Sequence, residues 1–173
     1  MAYRTSAVPS FVCTSLLIAD MCKHPQENHE NNSAIVIEDT AINHIVHIFN
    51  CKSSVLQISG KINAISMANC SKTSILLDSA VASVGITNSP GFQVQITGKV
   101  PTITIDSTDG GQLYLSKTSL EAEIITSKSS SVNVSLPVEG EEDGVFAEKP
   151  VPEQLKTVVN DGKLVTSVVE HAG

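Results

Sequence analysis

A 19-residue cycle of apolar residues limits what this chain can become. Leu56, Ile58, Ile62, Ile65 and Met67 are answered by Ile75, Leu77, Val81, Val84 and Ile86, then by Val94, Ile96, Val100, Ile103 and Ile105. Corresponding positions advance by 19 residues, as in 56, 75 and 94. The phrase "GKINAISMANC" at 60–70 and its echo "GKVPTITIDST" at 98–108 lie two cycles apart, with "SAVASVGITNS" holding the place between them. Weaker copies flank these three. Ile35, Ile37, Ile42, Val46 and Ile48 precede them, and Leu113, Leu115, Leu120, Ala122 and Ile124 follow, each copy with one or two inserted residues. A sixth, partial copy begins at Val132 and Val134.

Within a cycle the apolar residues come in i, i+2 pairs separated by Gly, Ser, Asn, Asp and Lys, which is strand periodicity broken by turns. Three short strands per cycle describe one coil of a parallel β-solenoid. One coil cannot bury its inward side chains alone, whereas a stack shares a continuous interior. Composition agrees: 41% of residues are apolar but only 3% aromatic, and the Ile, Val, Ser, Thr and Asn that dominate favour extended, turn-rich structure. About six coils at roughly 4.8 Å each give a stack on the order of 30 Å long. Each inward aliphatic contributes about 1.5 to 3 kcal/mol. Such a core forms without a cofactor, and none is expected.

Several function classes are disfavoured. A net charge of -7 and a single arginine, Arg4, argue against nucleic acid, whose affinity rests on many Lys and Arg contacts. No apolar run approaches the roughly 20 residues of a membrane span. Residues 1–22 have a weak signal-like patch at Phe11 to Ala19, but Cys13, Thr14 and Ser15 interrupt it. It reads as a leading element covering the first open end of the domain. Asp78, Asp106 and Asp109 fall at turns, and Glu121 and Glu123 in the fifth coil, as solvated residues without the convergence that acid–base chemistry needs. His44 and His47 have an H-x2-H spacing without a third ligand nearby, so no metal site is expected. The chain does not read as an enzyme.

Asn50, Asn69 and Asn88 occupy one place in successive cycles. Asn tolerates left-handed backbone geometry at stacked turns, and its amides can bond along the stack. Cys51 and Cys70 take the next place on adjacent coils, near enough in principle to be cross-linked, though reduced thiols in a cytosolic protein are the simpler account. Outside the strands run two ladders: Gln57, Leu76, Gln95, Tyr114 and Asn133, and His47, Ser66, Gly85, Thr104 and Glu123. Their flatness suits a protein partner.

The pattern stops at Pro137. An acidic excursion over 138–153 leads to "LKTVVNDGKLVTSVVEHAG", two Val- and Thr-rich runs around Asn160, Asp161 and Gly162, a hairpin over 154–173. Leu155, Val158, Val159, Leu164, Val165, Val168 and Val169 are its apolar residues. The last coil of a solenoid needs a cover. Either its own coil or a neighbour's would accept the hairpin, the latter giving a strand-exchanged homodimer. The chain thus divides into a leading segment, 1–32, and a β-helix domain, 33–173, with coils over about 33–137.

The stretches "VIEDTAI", "LQISGKINAISMANC", "GKVPTITIDSTDG", "YLSKTSLEAEIITSKSSSVNV", "VPEQLKT" and "GKLVT" closely resemble the C-terminal domain of the cyclase-associated proteins. That resemblance implies a right-handed parallel β-helix that dimerises by exchanging its C-terminal hairpin. It also implies a cytoplasmic, cytoskeleton-associated protein that binds monomeric actin, preferring the ADP form, and promotes exchange of ADP for ATP. The family's E-x-A-G ending matches Glu170, Ala172 and Gly173 as an actin contact, with exposed Lys61, Asn63, Ser66, Lys99, Thr102, Thr104 and Glu123 as further candidates. The family's N-terminal helical domain, proline-rich stretch and short actin-binding motif have no counterpart in these residues, so adenylyl cyclase binding is not expected. A related β-helix in tubulin-cofactor-like proteins would imply stimulation of GTP hydrolysis with an arginine finger, for which Arg4 is the sole candidate. A stack that is only a scaffold is the third alternative.

Overall fold

A computed structural model describes residues 34–141 and 144–169. The strands are β1 (Ala34–Ile37), β2 (Ile45–Phe49), β3 (Val55–Ala68), β4 (Ser74–Thr87), β5 (Phe92–Ile96), β6 (Thr102–Asp106), β7 (Asp109–Tyr114), β8 (Glu123–Ser127), β9 (Ser130–Pro137), β10 (Phe146–Pro150), β11 (Leu155–Asn160) and β12 (Lys163–Val168). Strands β1 to β9 form stacked parallel coils, the expected β-solenoid. One face stacks β1, the first half of β3, the first half of β4, β5, β7 and β9 in parallel register. The second stacks β2, the other halves of β3 and β4, then β6 and β8.

The 19-residue cycle is the register itself: Leu56 pairs with Ile75 and Ile75 with Val94, while Ile65 pairs with Val84 and Val84 with Ile103. Because parallel strands stack like on like, the inward residues merge into one buried column that includes Ile58, Met67, Leu77, Ile86, Ile96 and Ile105. Two corrections concern the corners. The three-strand coil is not general, since β3 and β4 each run 14 residues through the bend, with register shifts between Ile58/Lys61 and Ile62/Ala64. The shift moves the inward position of β4 by one residue: Ala80 pairs with Ile62 and is buried, whereas Val81 is 47% exposed.

The inserts in the flanking copies also alter their assignments. In the fifth coil a single 3-10 turn, Lys117–Ser119, absorbs the extra residues, so Ile103 pairs with Ile124 and Ala122 packs only at the margin. Buried Ser119 replaces Leu120 at the corner: its hydroxyl accepts the Val100 N–H at 3.0 Å and donates to the Gly98 carbonyl at 2.8 Å, while Leu120 is 54% exposed. In the first coil Ile42 likewise turns outward, at 67% exposure, although Val46 and Ile48 are buried as expected.

The turn after the second face carries the residues of the Asn ladder. Asn50, Asn69 and Asn88 have φ of 56°, 54° and 45°, and Ser107 and Lys128 continue the row at 51° and 49°. The Asn88 side-chain amide donates to Asn69 Oδ1 at 2.7 Å. One residue on lies a buried polar row. The N–H groups of Cys51, Cys70, Ser89 and Thr108 donate to Cys70 Sγ, Ser89 Oγ, Thr108 Oγ1 and Ser129 Oγ on the following coil. Turn backbone that strand pairing cannot reach is thereby satisfied. Cys70 is a free, buried thiol, raised above its ordinary pKa by burial, which its hydrogen bonds with Cys51, Ala68 and Ser89 partly offset. Cys51 departs from the expected reduced state: it is disulfide-bonded, and Cys70 is not its partner.

The end of the stack is half covered. β10 returns antiparallel along β9, Phe146 meets Tyr114 edge to face with centroids 5.5 Å apart, and Val151 packs against the core. On the second face β8 pairs only with β6, leaving its outer edge unpaired among the described residues. β11 and β12 form a two-stranded sheet of their own around a turn in which Asp161 and Gly162 both have positive φ, 48° and 75°. That is the backbone an Asp-Gly hairpin turn adopts.

Candidate functional site

Side chains that point away from the core form rows one residue out of step with it. On the second face β3 offers Ala64, Ser66 and Ala68, aligned with Ser83, Gly85 and Thr87 of β4. Gly85 and Thr87 in turn pair with Thr104 and Asp106 of β6, and Thr102 and Thr104 with Glu123 and Ile125 of β8. A parallel stack keeps this surface flat, because each side chain sits directly above its counterpart. Its composition keeps it shallow, since none of these outward residues of β3, β4 and β6 is larger than Thr or Asp. Phe49 at one end and Ile125 at the other are 43% and 52% exposed, so the face is rimmed by apolar side chains.

The structure gathers most of the candidate residues here. Ser66, Thr102, Thr104 and Glu123 all lie on this face. Lys61, Asn63 and Lys99 border it at the bend: Lys61 pairs with Ser79, the Asn63 N–H donates to the His44 carbonyl, and the Lys99 N–H donates to Ser79 Oγ at 3.0 Å. Both outer ladders need a correction at the fifth and sixth coils. Thr104 pairs with Ile125 and not Glu123, which pairs with Thr102; Tyr114 pairs with Ser135 and not Asn133, which pairs with Gln112. The cause is again the inserted residues.

Sequence reasoning missed Ala64, Ser83, Thr87 and Asp106 as parts of the surface, though the inward template marks them as the positions between core residues. Glu170, Ala172 and Gly173 lie outside the described residues, as do the leading segment and Arg4. Of the hairpin residues, Leu155, Val158, Val159, Leu164, Val165 and Val168 are all exposed, from 44% to 75%, and the Val169 N–H donates to the Gln154 carbonyl. Among the described residues no group of three His, Cys, Asp or Glu side chains is placed to hold a metal ion. His44 Nδ1 instead accepts the nearby Ala41 N–H at 3.1 Å. No helix among them is long and apolar enough to cross a membrane.

Comparison with known proteins gives this architecture a family. The family described as adenylate cyclase associated (CAP) C terminal matches residues 19–171. The chain belongs to the cyclase-associated proteins. It is 52% identical over 147 residues to adenylyl cyclase-associated protein 1 of Bos taurus, covering 85% of this chain and 30% of the relative. The adenylyl cyclase-associated protein of Schizosaccharomyces pombe is 44% identical over 146 residues, covering 84% of this chain and 26% of that protein. The chain therefore spans under a third of the length of the relatives it matches. A crystal structure of cyclase-associated protein from Cryptosporidium parvum superposes with a TM-score of 0.75 at 29% identity, covering 98% of this chain and all of that one.

Proposed function

We propose that this domain binds monomeric actin, preferring the ADP form, and speeds replacement of ADP by ATP, acting as a homodimer in the cytoplasm. The observation that carries the reading is the flat, small-residue outer face of β3, β4 and β6 with Lys61 and Lys99 along its border, in a chain that belongs to the cyclase-associated proteins. A shallow surface with few long side chains loses little rotamer entropy on docking and admits close approach of another protein. Its role needs no catalytic group and no cofactor. Binding the open-cleft state of actin more tightly than the closed state suffices to accelerate nucleotide release.

The hairpin supports the dimer. A two-stranded ribbon with both faces exposed is marginal alone, and β11–β12 makes no ladder pairs with the main sheet among the described residues. A second copy offers the unpaired edge of β8, beside which Ile124 is half-buried and Ile125 exposed. Exchange of hairpins would cover both defects at once.

Release of a fluorescent nucleotide from ADP-actin, followed in excess ATP, tests the reading. Acceleration that saturates with domain concentration is expected. An unchanged release rate, with no complex on gel filtration, would return the chain to a scaffold.

A further inference from the structure

One corner of the stack is written three ways in successive cycles: Ser59-Gly60-Lys61, Asp78-Ser79-Ala80 and Thr97-Gly98-Lys99. The middle copy, which lacks Gly-Lys, supplies acceptors to the other two. Asp78 Oδ2 accepts the Gly60 N–H at 2.7 Å, and Oδ1 accepts the Thr97 hydroxyl at 2.9 Å. The Asp78 carbonyl takes the Gly98 N–H at 2.7 Å, and Ser79 Oγ takes the Lys99 N–H at 3.0 Å. The corners are pressed together, since a Cβ at Gly98 would fall 2.1 Å from Ser79 Oγ. One carboxylate thus reaches one coil in each direction, with both oxygens bound by uncharged donors. Lys61 and Lys99 stand on either side of it, both exposed. They are two rungs apart, hence about 10 Å.

We propose that Asp78 is a positioning residue for the actin contact: it fixes the corners carrying Lys61 and Lys99, which together read two carboxylates roughly 10 Å apart on the bound actin. The proposal rests on the actin reading above. Acidic residues three apart on an extended segment, or seven apart on a helix, have about that spacing. In a chain of net charge -7, attraction for an acidic surface has to be local, and screening within about 8 Å keeps it so. Charge and placement make opposite demands of Asp78. As a charge, a carboxylate between two lysines opposes an acidic partner, and its removal would tighten the complex. As a staple, its removal frees both corners and weakens it. Asn preserves the staple, because its Oδ1 can accept the Gly60 N–H while its Nδ2 donates to the Thr97 hydroxyl.

The test measures the affinity of the full chain and its variants for monomeric ADP-actin over a range of salt, with melting temperatures alongside. Asp78→Ala should bind about three- to tenfold more weakly than wild type, with a shallower salt dependence. Asp78→Asn should restore the affinity, and Thr97→Val, which removes one arm, should lose less than Asp78→Ala. In a background of Lys61→Ala with Lys99→Ala, Asp78→Ala should change nothing further. Amide exchange at Gly60 should quicken in Asp78→Ala and not in Asp78→Asn. Wild-type or tighter binding by folded Asp78→Ala overturns the proposal and leaves the actin reading standing, as does wild-type affinity in Thr97→Val or a full loss in the lysine-free background. Wild-type protein that binds no actin removes both.

Discussion

Val159 and Leu164 face each other across the hairpin and are 74% and 75% exposed, the two most open of its large apolar residues. If the hairpin is exchanged between copies, these side chains are buried only in the dimer. Because each dimer buries two hairpins, Val159→Ser with Leu164→Ser removes four such side chains and should forfeit about 6 to 12 kcal/mol of association free energy, taking about 1.5 to 3 for each. That corresponds to a dimer dissociation constant raised by roughly four orders of magnitude or more. The isolated solenoid should be untouched, because neither side chain belongs to its core. Analytical ultracentrifugation over a dilution series gives the constant, and circular dichroism checks the fold. A monomeric wild-type protein, or a double variant that still dimerises with wild-type affinity, would refute the argument that the ribbon finds its cover on a second copy.

Other expectations concern the stack. A Cβ at Gly111 would fall 2.0 Å from the buried Phe92 ring, so Gly111→Ala should cost about 1 to 3 kcal/mol by overpacking, and Phe92→Leu in the same chain should recover part of it in urea titrations. Ser119→Ala leaves the Val100 N–H without its partner and should destabilise by about 1 to 3 kcal/mol, whereas Leu120→Ala, at an exposed position, should be nearly silent. Burial raises the Cys70 pKa in the folded state, so the unfolded chain gives up that proton more readily. The contribution is fully present below the ordinary thiol value of about 8.5 and is lost as pH climbs through the folded one. Denaturation midpoints in reductant should thus fall more steeply above neutral pH for wild type than for Cys70→Ser.

What the sequence makes legible follows from the geometry of a parallel stack. Leu56, Ile75 and Val94 are read as one column because stacking like on like turns contact into repetition. The failures sit where the period is broken. At the bend of β4 the register shift changes which residue points inward, and nothing in "SAVAS" distinguishes Ala80 from the more apolar Val81. In the fifth coil the chain spends its extra residues on a turn, so Ser119 takes the corner by hydrogen bonding where hydrophobicity favoured Leu120. The same insert displaced Glu123 by one row on the outer face. Even so, the grouping of Ser66, Thr102, Thr104 and Glu123 on one side of the molecule was available from the alternation alone. Where the hairpin docks was not, since that depends on a surface in another element or another chain.

Gly85 lies at the centre of the proposed actin-binding face, and there a Cβ meets only Thr104 Oγ1 at 3.5 Å and the Ile65 carbonyl at 3.7 Å, ordinary contacts in a strand. Gly85→Tyr should accordingly fold, with a large ring standing out of an otherwise shallow surface. The direct measurement is the affinity of this variant and of wild type for monomeric ADP-actin, with melting temperatures recorded alongside. The account predicts binding weakened at least about tenfold, the equivalent of about 1.4 kcal/mol, at an unchanged melting temperature; wild-type affinity in a correctly folded Gly85→Tyr protein would contradict it.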